Sequence, residues 1–184
     1  MKFVKGLLFL AAFPMLVGAA YFAVSVGASP VRSSANGHGT LLVPENATGH
    51  GSIRRQFSFS AVATTRGAAK GNAVLHNPAF TGANDQVYQL QIRVTCLKIV
   101  DNYAIISGFT RRTNDPNLVD AVVFSVQDNG EPGQDNDLIS PALFFDDDPN
   151  TTGPADLCQG HEPNDIYFAG TYRPIESGNV NVSE

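Results

Sequence analysis

Strict alternation of apolar and polar residues along residues 87–100 is the feature that most constrains how this chain can fold. In VYQLQIRVTCLKIV, one face of an extended chain would carry Tyr88, Leu90, Ile92, Val94 and Cys96. A period of two is that of a β-strand with one buried face. We therefore predict a strand here, with Cys96 on its core side. The pair Asp101-Asn102 then predicts a tight turn into the next strand.

Further short apolar stretches recur at roughly ten-residue spacing and predict the other strands. They are GHGTLLV, RQFSFSAVAT, AVLHNP, YAIISGFTRR, AVVFSVQD, LISPALFF, IYFAGTY and NVNV. No window has a helical period, and Gly and Pro interrupt every long segment. The pattern predicts an all-β fold, built as a single antiparallel β-sandwich or a small barrel-like domain.

The N-terminus predicts export. Two lysines near the start precede an apolar run from Gly6 to Val26, which leads into the small residues that signal peptidase prefers. We predict a signal peptide at 1–28, a flexible leader at 29–36 and a secreted β-domain at 37–184. Cleavage after Ala20 and retention of the run as a membrane anchor both stay open, because about 20 apolar residues can span a bilayer.

The cysteine content agrees with export. The chain contains two cysteines, Cys96 and Cys158. An even pair in an oxidising compartment favours a single disulfide, so we predict the bond Cys96–Cys158. Closing a loop of this length would stabilise the fold by about 4 kcal/mol on the chain-entropy model.

Net charge narrows the expected partners. The formal net charge is −5 at pH 7, which disfavours nucleic acid because its phosphates would be repelled. The same charge disfavours docking on anionic lipid, so we expect membrane contact only through the signal segment before cleavage. The expected partner is an unidentified protein or surface ligand, and the expected state is a monomer.

The charges are divided unevenly along the chain. Thr113 to Tyr172 holds twelve carboxylates and no Lys or Arg, whereas Ser29 to Arg112 holds nine basic residues and three acids. Crowded like charges destabilise a compact state unless water, the basic half or a cation relieves them. Calcium binds roughly six to eight oxygens, which flexible loops supply well. The stretch FSVQDNGEPGQDNDLIS therefore suggests calcium ligands at Asp128, Glu131, Asp135 and Asp137.

A second acidic group follows the predicted strand LISPALFF. It consists of Asp146, Asp147, Asp148 and Asn150. Eight residues of strand span about 26 Å, so one ion could join both groups only if the strand is broken at Pro141. The spacing does not match an EF-hand, because Gly130 and Pro132 occupy ligand positions. The calcium hypothesis thus rests on composition, and the alternative is a Pro/Gly turn whose acids face water.

The sequence contains no motif for enzymatic chemistry. G-x-S-x-G, S-x-x-K and H-E-x-x-H are absent, so we predict no catalytic residues and no cofactor other than the hypothetical calcium. The predicted function is a secreted, non-enzymatic binding or structural module at or outside the cell surface. The alternative is a secreted carboxylate-dependent hydrolase, since paired acids need not be close in sequence. The lack of Trp weakens that alternative for sugar substrates.

Several blocks, taken in order, resemble a known family. GHGTL, QFSFSA, AKGNAVL, CLKIVDNYAIISG and FSVQDNGEPGQDNDLIS are similar to successive blocks of small secreted bacterial β-domains of the post-COAP type. The resemblance covers Gly37 to Ser140, and its most specific part is the Asp-Asn-Gly-Glu-Pro-Gly loop at 128–133. It implies an all-β fold and export from a bacterium, to the outside or the cell envelope. It implies no activity, and the later segment with Cys158 departs from the family pattern.

Overall fold

The structure is a computed structural model that describes residues 31–43, 52–64, 69–81, 87–114, 121–144 and 153–184. Within these ranges the chain forms nine β-strands, one short 3-10 helix and no α-helix. The strands are β1 (Val31–Val43), β2 (Ile53–Thr64), β3 (Ala69–Thr81), β4 (Val87–Val100), β5 (Tyr103–Thr113), β6 (Ala121–Gln127), β7 (Leu138–Ile139), β8 (Leu143–Phe144) and β9 (Arg173–Ser183), and the 3-10 helix is Leu157–Gly160. No helix in the described ranges is long and apolar enough to cross a bilayer.

Eight of these strands close into an antiparallel barrel. Their order around it is β1-β2-β3-β4-β5-β6-β7-β9, and β9 pairs with β1 to complete the circle. The extra strand, β8, pairs with β6 further along from β7. The predicted all-β fold is therefore confirmed, and it takes the barrel form.

The barrel interior is filled by the apolar faces of the long strands. Phe57 and Phe59 of β2 point inward, and Phe59 meets Phe124 of β6 edge-to-face with ring centroids 5.8 Å apart. Burying a side chain of this size stabilises the fold by about 1.5–3 kcal/mol. An eight-stranded barrel is just wide enough for side chains to fill. Twenty buried residues form one cluster inside this barrel, so its interior is a packed core.

The register of β4 against β5 slips between Val94 and Cys96. Val94 pairs with Gly108, and Cys96 pairs with the preceding residue of β5, Ser107, so that Thr95 is an extra residue in β4. A β-bulge of this kind reverses the face on which the following side chains lie.

The bulge changes the position of the first cysteine. Leu97 and Ile99 contribute to the barrel core, whereas Cys96 is buried on the outside of the barrel. The prediction that Cys96 shares the core face of Leu90 is therefore wrong. Alternation in a sequence cannot reveal an inserted residue, because it is the pairing with β5 that creates the bulge.

A second, smaller core lies on the outer surface of β4, β5 and β6. Residues 153–172, which we call the C-terminal cover, pack against that surface. The buried members of this outer core are Cys96, Ile105, Val123, Cys158 and Phe168. The disulfide Cys96–Cys158 joins the barrel to the cover with a Cα–Cα distance of 5.8 Å, which confirms the predicted bond.

Two buried serines on the barrel add hydrogen bonds to the cover. The backbone N–H of Cys158 donates to Ser107 Oγ at 3.0 Å. The Tyr172 hydroxyl donates to Ser125 Oγ at 2.7 Å, and burial raises the pKa of that phenol. Because each polar group is paired where water is excluded, the cover sits on the barrel without unsatisfied atoms at these points.

The predicted flexible leader is wrong for residues 31–36. Strand β1 begins at Val31 and pairs with β2 on one side and β9 on the other. Ala35 is completely buried, and the hydroxyls of Ser34 and Ser183 lie 2.8 Å apart. Two neighbouring strands thus override the low strand propensity of this polar stretch. The predicted signal peptide and residues 29–30 lie outside the described residues.

Two predicted strands also differ from the structure. IYFAGTY forms turns, in which the N–H of Phe168 donates to Asp165 O at 2.9 Å. LISPALFF is interrupted between β7 and β8, around Pro141, which has no N–H to give to a ladder. Both pieces still pair with β6, so the interruption does not fold the second piece back on the first.

Candidate functional site

The acidic loop, Asp128–Asp137, leads from β6 to β7 and lies along β9. Strand β7 pairs with β9 only at Pro174 and Arg173. Beyond these residues, no described strand pairs with this edge of β9. The loop occupies the gap, and its backbone makes two bonds to Ile175: Asp135 N–H donates to Ile175 O at 2.8 Å, and Ile175 N–H donates to Asp137 O at 3.0 Å.

Asp137 is the centre of this arrangement and is completely buried. Its Oδ1 accepts the backbone N–H of Asn129 at 2.9 Å, and its Oδ2 accepts the backbone N–H of Val180 at 2.7 Å. A buried carboxylate is costly unless it accepts hydrogen bonds, and here both oxygens do. The side chain therefore ties the two ends of the loop to each other and to β9.

Asp128 makes the same kind of link one step further along β9. Its Oδ2 accepts the N–H of Val182 at 2.9 Å, and its Oδ1 accepts the N–H of Gly130 at 2.9 Å. Val180 and Val182 are alternate residues of β9, so their N–H groups point to the same edge. The two carboxylates thus take the place of strand carbonyls and complete the barrel where β7 is too short.

The turn residues of the loop fit this role. Gly130 has a φ of 89° and Asp135 a φ of 63°, values that Gly and Asp tolerate better than most residues. Gly133 is needed for a different reason: a Cβ there would overlap Asp137 Oδ2 and Asn179 Oδ1. The loop is therefore a specific turn packed against β9, although turn chemistry alone could not show what it packs against.

The four residues proposed as calcium ligands do not converge on one point. Asp128 and Asp137 accept backbone N–H groups, as described above. Glu131 Oε1 accepts the side-chain amide of Asn179 at 2.7 Å, and Asp135 is exposed to solvent. Among the described residues, no group of three or more His, Cys, Asp or Glu is placed to hold a metal ion.

Calcium binding remains a prediction at this loop. The second acidic group, Asp146–Asp148, lies outside the described residues, so its position relative to the loop is not described. Asn179 is the residue here that sequence reasoning missed. Its Oδ1 is buried without a hydrogen-bond partner, so it is the oxygen that a water molecule or a cation would satisfy. The only sequence indication was its place in the NVNV strand.

A smaller polar cluster holds the C-terminal cover in shape. His161 Nδ1 lies 2.9 Å from Asp165 Oδ2, and this hydrogen bond lowers the pKa of Asp165. The Lys98 ammonium donates to His161 O and to Glu162 Oε1, both at 2.7 Å. Because Lys98 belongs to β4, the cluster fixes the cover to the barrel beside the disulfide.

The outer face of β1, β2 and β3 is open, in contrast to the covered face. It carries a shallow depression of about 610 Å³. The polar side chains lining it are His38, Thr40, Gln56, Ser58, His76, Gln89 and Ser177. Gln56 Oε1 and His76 Nδ1 lie 3.3 Å apart across neighbouring strands. This face of the sheet thus presents both hydrogen-bond donors and hydrogen-bond acceptors to solvent.

Comparisons with protein-family models, curated proteins and solved structures found no match to this chain. The resemblance to the post-COAP type therefore stays a prediction, and the chemistry of the site has to be argued from its own geometry.

Proposed function

We propose that the protein is a secreted, non-enzymatic module that binds a ligand or plays a structural part at or outside a bacterial cell surface. The observation that carries this proposal is the use of the acidic loop. Asp128 and Asp137, two of the four acids proposed as calcium ligands, accept backbone N–H groups of β9. Asp137 is also completely buried, so a substrate could not reach its carboxylate without opening the loop.

Two further features support a rigid binding scaffold outside the cytoplasm. Disulfides persist in oxidising compartments, so the bond Cys96–Cys158 agrees with the export predicted from the N-terminus. The packed barrel interior leaves ligand binding to the outer surface, where β1–β3 present polar groups on strands rather than on loops. Sites held by strands keep their geometry better than sites on loops.

The proposal is tested by expressing the full chain with its own leader in a bacterial host. We expect the protein in the periplasm or medium, with the leader removed and no free thiol by mass spectrometry. Labelled exported protein should then bind isolated cell envelopes saturably, and an excess of unlabelled protein should displace it. Cytoplasmic retention would contradict export, and unsaturable binding would contradict a binding role.

The hydrolase alternative is tested with the same material. Turnover of polysaccharide or peptide substrates that is lost in Glu131→Gln or Asp135→Asn would favour it over the binding module. These two variants are chosen because both side chains are exposed, so a loss of turnover would not follow from unfolding.

A further inference from the structure

A concave patch on the outer surface of β2–β5 brings three cationic side chains together. The patch has a volume of about 640 Å³. We call it the cationic patch and define it by Lys70, Arg93 and Arg111, which line it together with Ser60 and Asn72. All five residues are exposed to solvent. The patch lies in the basic half of the chain and away from the acidic loop of β6–β7.

Strand register places the three cations in a row. Arg93 of β4 pairs with Asn72 of β3 and with Phe109 of β5. Lys70 is two residues before Asn72, so it is a diagonal neighbour of Arg93. On the other side, Arg111 is the extra residue of a β-bulge in β5, because Thr110 pairs with Ile92 and Arg112 with Gln91. Arg111 lines the same depression as Arg93. Diagonal neighbours on one face of a sheet are roughly 7–8 Å apart. The positive charges therefore follow a line that crosses three strands.

The row makes no ion pair in the part of the chain that the structure describes. The ion pairs there are Arg54–Glu176, Lys98–Glu162 and His161–Asp165, and none involves the cationic patch. Neighbouring like charges on a sheet destabilise it slightly. An anionic ligand would remove that repulsion, which is a physical reason for the row to bind one.

We propose that the cationic patch binds a linear polysaccharide that carries carboxylates. This inference rests on the proposed binding function and names the class of ligand. Arginine forks bind carboxylates through paired N–H groups, and a row of cations matches charges repeated along a chain. Ser60 and Asn72 lie between the cations and can exchange hydrogen bonds with sugar hydroxyls.

Two other anionic partners fit the patch less well. Single-stranded nucleic acid is usually held by base stacking on aromatic rings, and none of the described residues lining the patch is aromatic. A second copy of this chain fits less well through its acidic loop, because Asp128 and Asp137 are already engaged with β9. The net negative charge of the protein does not prevent binding, since charges beyond about 8 Å are largely screened at physiological ionic strength.

The experiment measures the affinity of the exported protein for soluble polygalacturonate by titration calorimetry. Each lost charge-assisted hydrogen bond of this kind should raise Kd roughly ten-fold. We therefore expect Arg93→Gln/Arg111→Gln to weaken binding by about 100-fold. The matched control, Arg54→Gln/Arg173→Gln, removes the same net charge elsewhere and should change Kd by about two-fold or less. Arg93→Lys/Arg111→Lys keeps the charge and should fall between the two.

The outcomes separate this inference from the proposed function. Equal losses in the two Gln double variants would overturn the patch, because net charge alone would then explain binding. Equal affinity for neutral dextran, or tighter binding to duplex DNA or to a second copy of the chain, would overturn the ligand class. Saturable envelope binding that polygalacturonate does not compete with would overturn the inference and leave the binding module standing. If the wild-type protein bound neither cell envelopes nor polygalacturonate, this inference and the binding role in the proposed function would both be overturned.

Discussion

The two outer faces of the barrel differ although the strands beneath them pack the same core. On β2, the outward residues Ser58 and Ser60 face solvent. On β5 and β6, the outward residues Ile105 and Val123 are completely buried beneath the C-terminal cover. The inward residues of both regions belong to one continuous cluster. Strand chemistry therefore builds the barrel everywhere, and the outward residues decide which part of it receives a second layer.

This difference divides stability from surface function. The covered face concentrates the disulfide, the outer core and the His161–Asp165 pair, so substitutions there should destabilise the protein. The open face buries little apolar area outside the barrel, so substitutions there should affect binding and leave stability nearly unchanged.

The largest effect is expected from removal of the disulfide. Cys96→Ser/Cys158→Ser should lower the free energy of unfolding by about 4 kcal/mol, because the unfolded chain regains the entropy of a long loop. Denaturant titration followed by circular dichroism measures this change. Ser58→Ala on the open face is the control and should stay within about 0.5 kcal/mol. If the two changes lowered the free energy of unfolding equally, the covered face would not contribute more to stability than the open face.

The next effect is expected in the outer core itself. Phe168→Ala should cost about 3 kcal/mol, since a completely buried ring is lost from a small cluster that can partly collapse. Ile166→Ala, two residues away, removes a side chain that is 82% exposed and should be nearly neutral. Thermal melts with the disulfide intact measure both. A small loss for Phe168→Ala would mean that the disulfide alone retains the cover.

A smaller effect is expected at the acidic loop. Asp137→Asn should lower the free energy of unfolding by about 2 kcal/mol. The amide of Asn has only one oxygen, so its NH2 group would face one of the two backbone N–H donors and leave that donor without an acceptor. Asp135→Asn removes the same charge at an exposed position where Asn also tolerates a positive φ, and should be within about 0.5 kcal/mol. Denaturant titration compares them. If both variants were equally stable, Asp137 would not be closing the barrel.

Melts of the wild type and of Asp137→Asn with and without calcium decide the calcium hypothesis. A calcium site should raise the stability of the wild-type protein by RT ln(1 + [L]/Kd), about 2.7 kcal/mol at 100-fold excess over Kd. That gain should be lost with a chelator and in Asp137→Asn. An unchanged melting temperature with and without millimolar calcium would leave the loop as a turn that closes the barrel.

The smallest effect is a pH dependence of the cover. The His161 hydrogen bond holds the pKa of Asp165 below its usual range, so its contribution is fully present above the unfolded pKa of about 3.9. Stability should fall as the pH drops through the folded pKa, below that value. Melts between pH 6 and pH 2.5 should show a weaker acid dependence in Asp165→Asn than in the wild type. Asp156→Asn, an exposed aspartate in the same cover, should retain the wild-type slope.

Much of the barrel could be predicted from the sequence because period two is a local property. The predicted strand 87–100 has the observed ends of β4, and the alternation in RQFSFSAVAT places Phe57 and Phe59 on one face of β2, as observed. The short strands and the start of β1 were missed or misplaced, since their pairing comes from neighbours that are distant in sequence. The apolar runs AII at 104–106 and AVVF at 121–124 do indicate the covered face, because such runs are typical of strands buried on both faces.

The role of the acidic loop could not be predicted in the same way. Its composition indicated many carboxylates near a turn, and oxygen-rich loops suit calcium. The donors to Asp128 and Asp137 are backbone N–H groups of β9, and Val180 lies 43 residues beyond Asp137. No pattern of carboxylates in a sequence tells whether a cation, water or a distant strand will satisfy them.

The sequence by itself determined the all-β class, the inward face of β4 as far as its bulge and the pairing of the two cysteines. The first two depend on local alternation, and the third follows because each cysteine has only one possible partner in the chain. The tertiary structure decided that Cys96 points away from the barrel, that the C-terminal segment covers one outer face, and that buried carboxylates complete the circle of strands. Each of these follows from contacts between residues that are far apart in sequence. The free energy of such contacts depends on which polar and apolar groups become buried together, away from water.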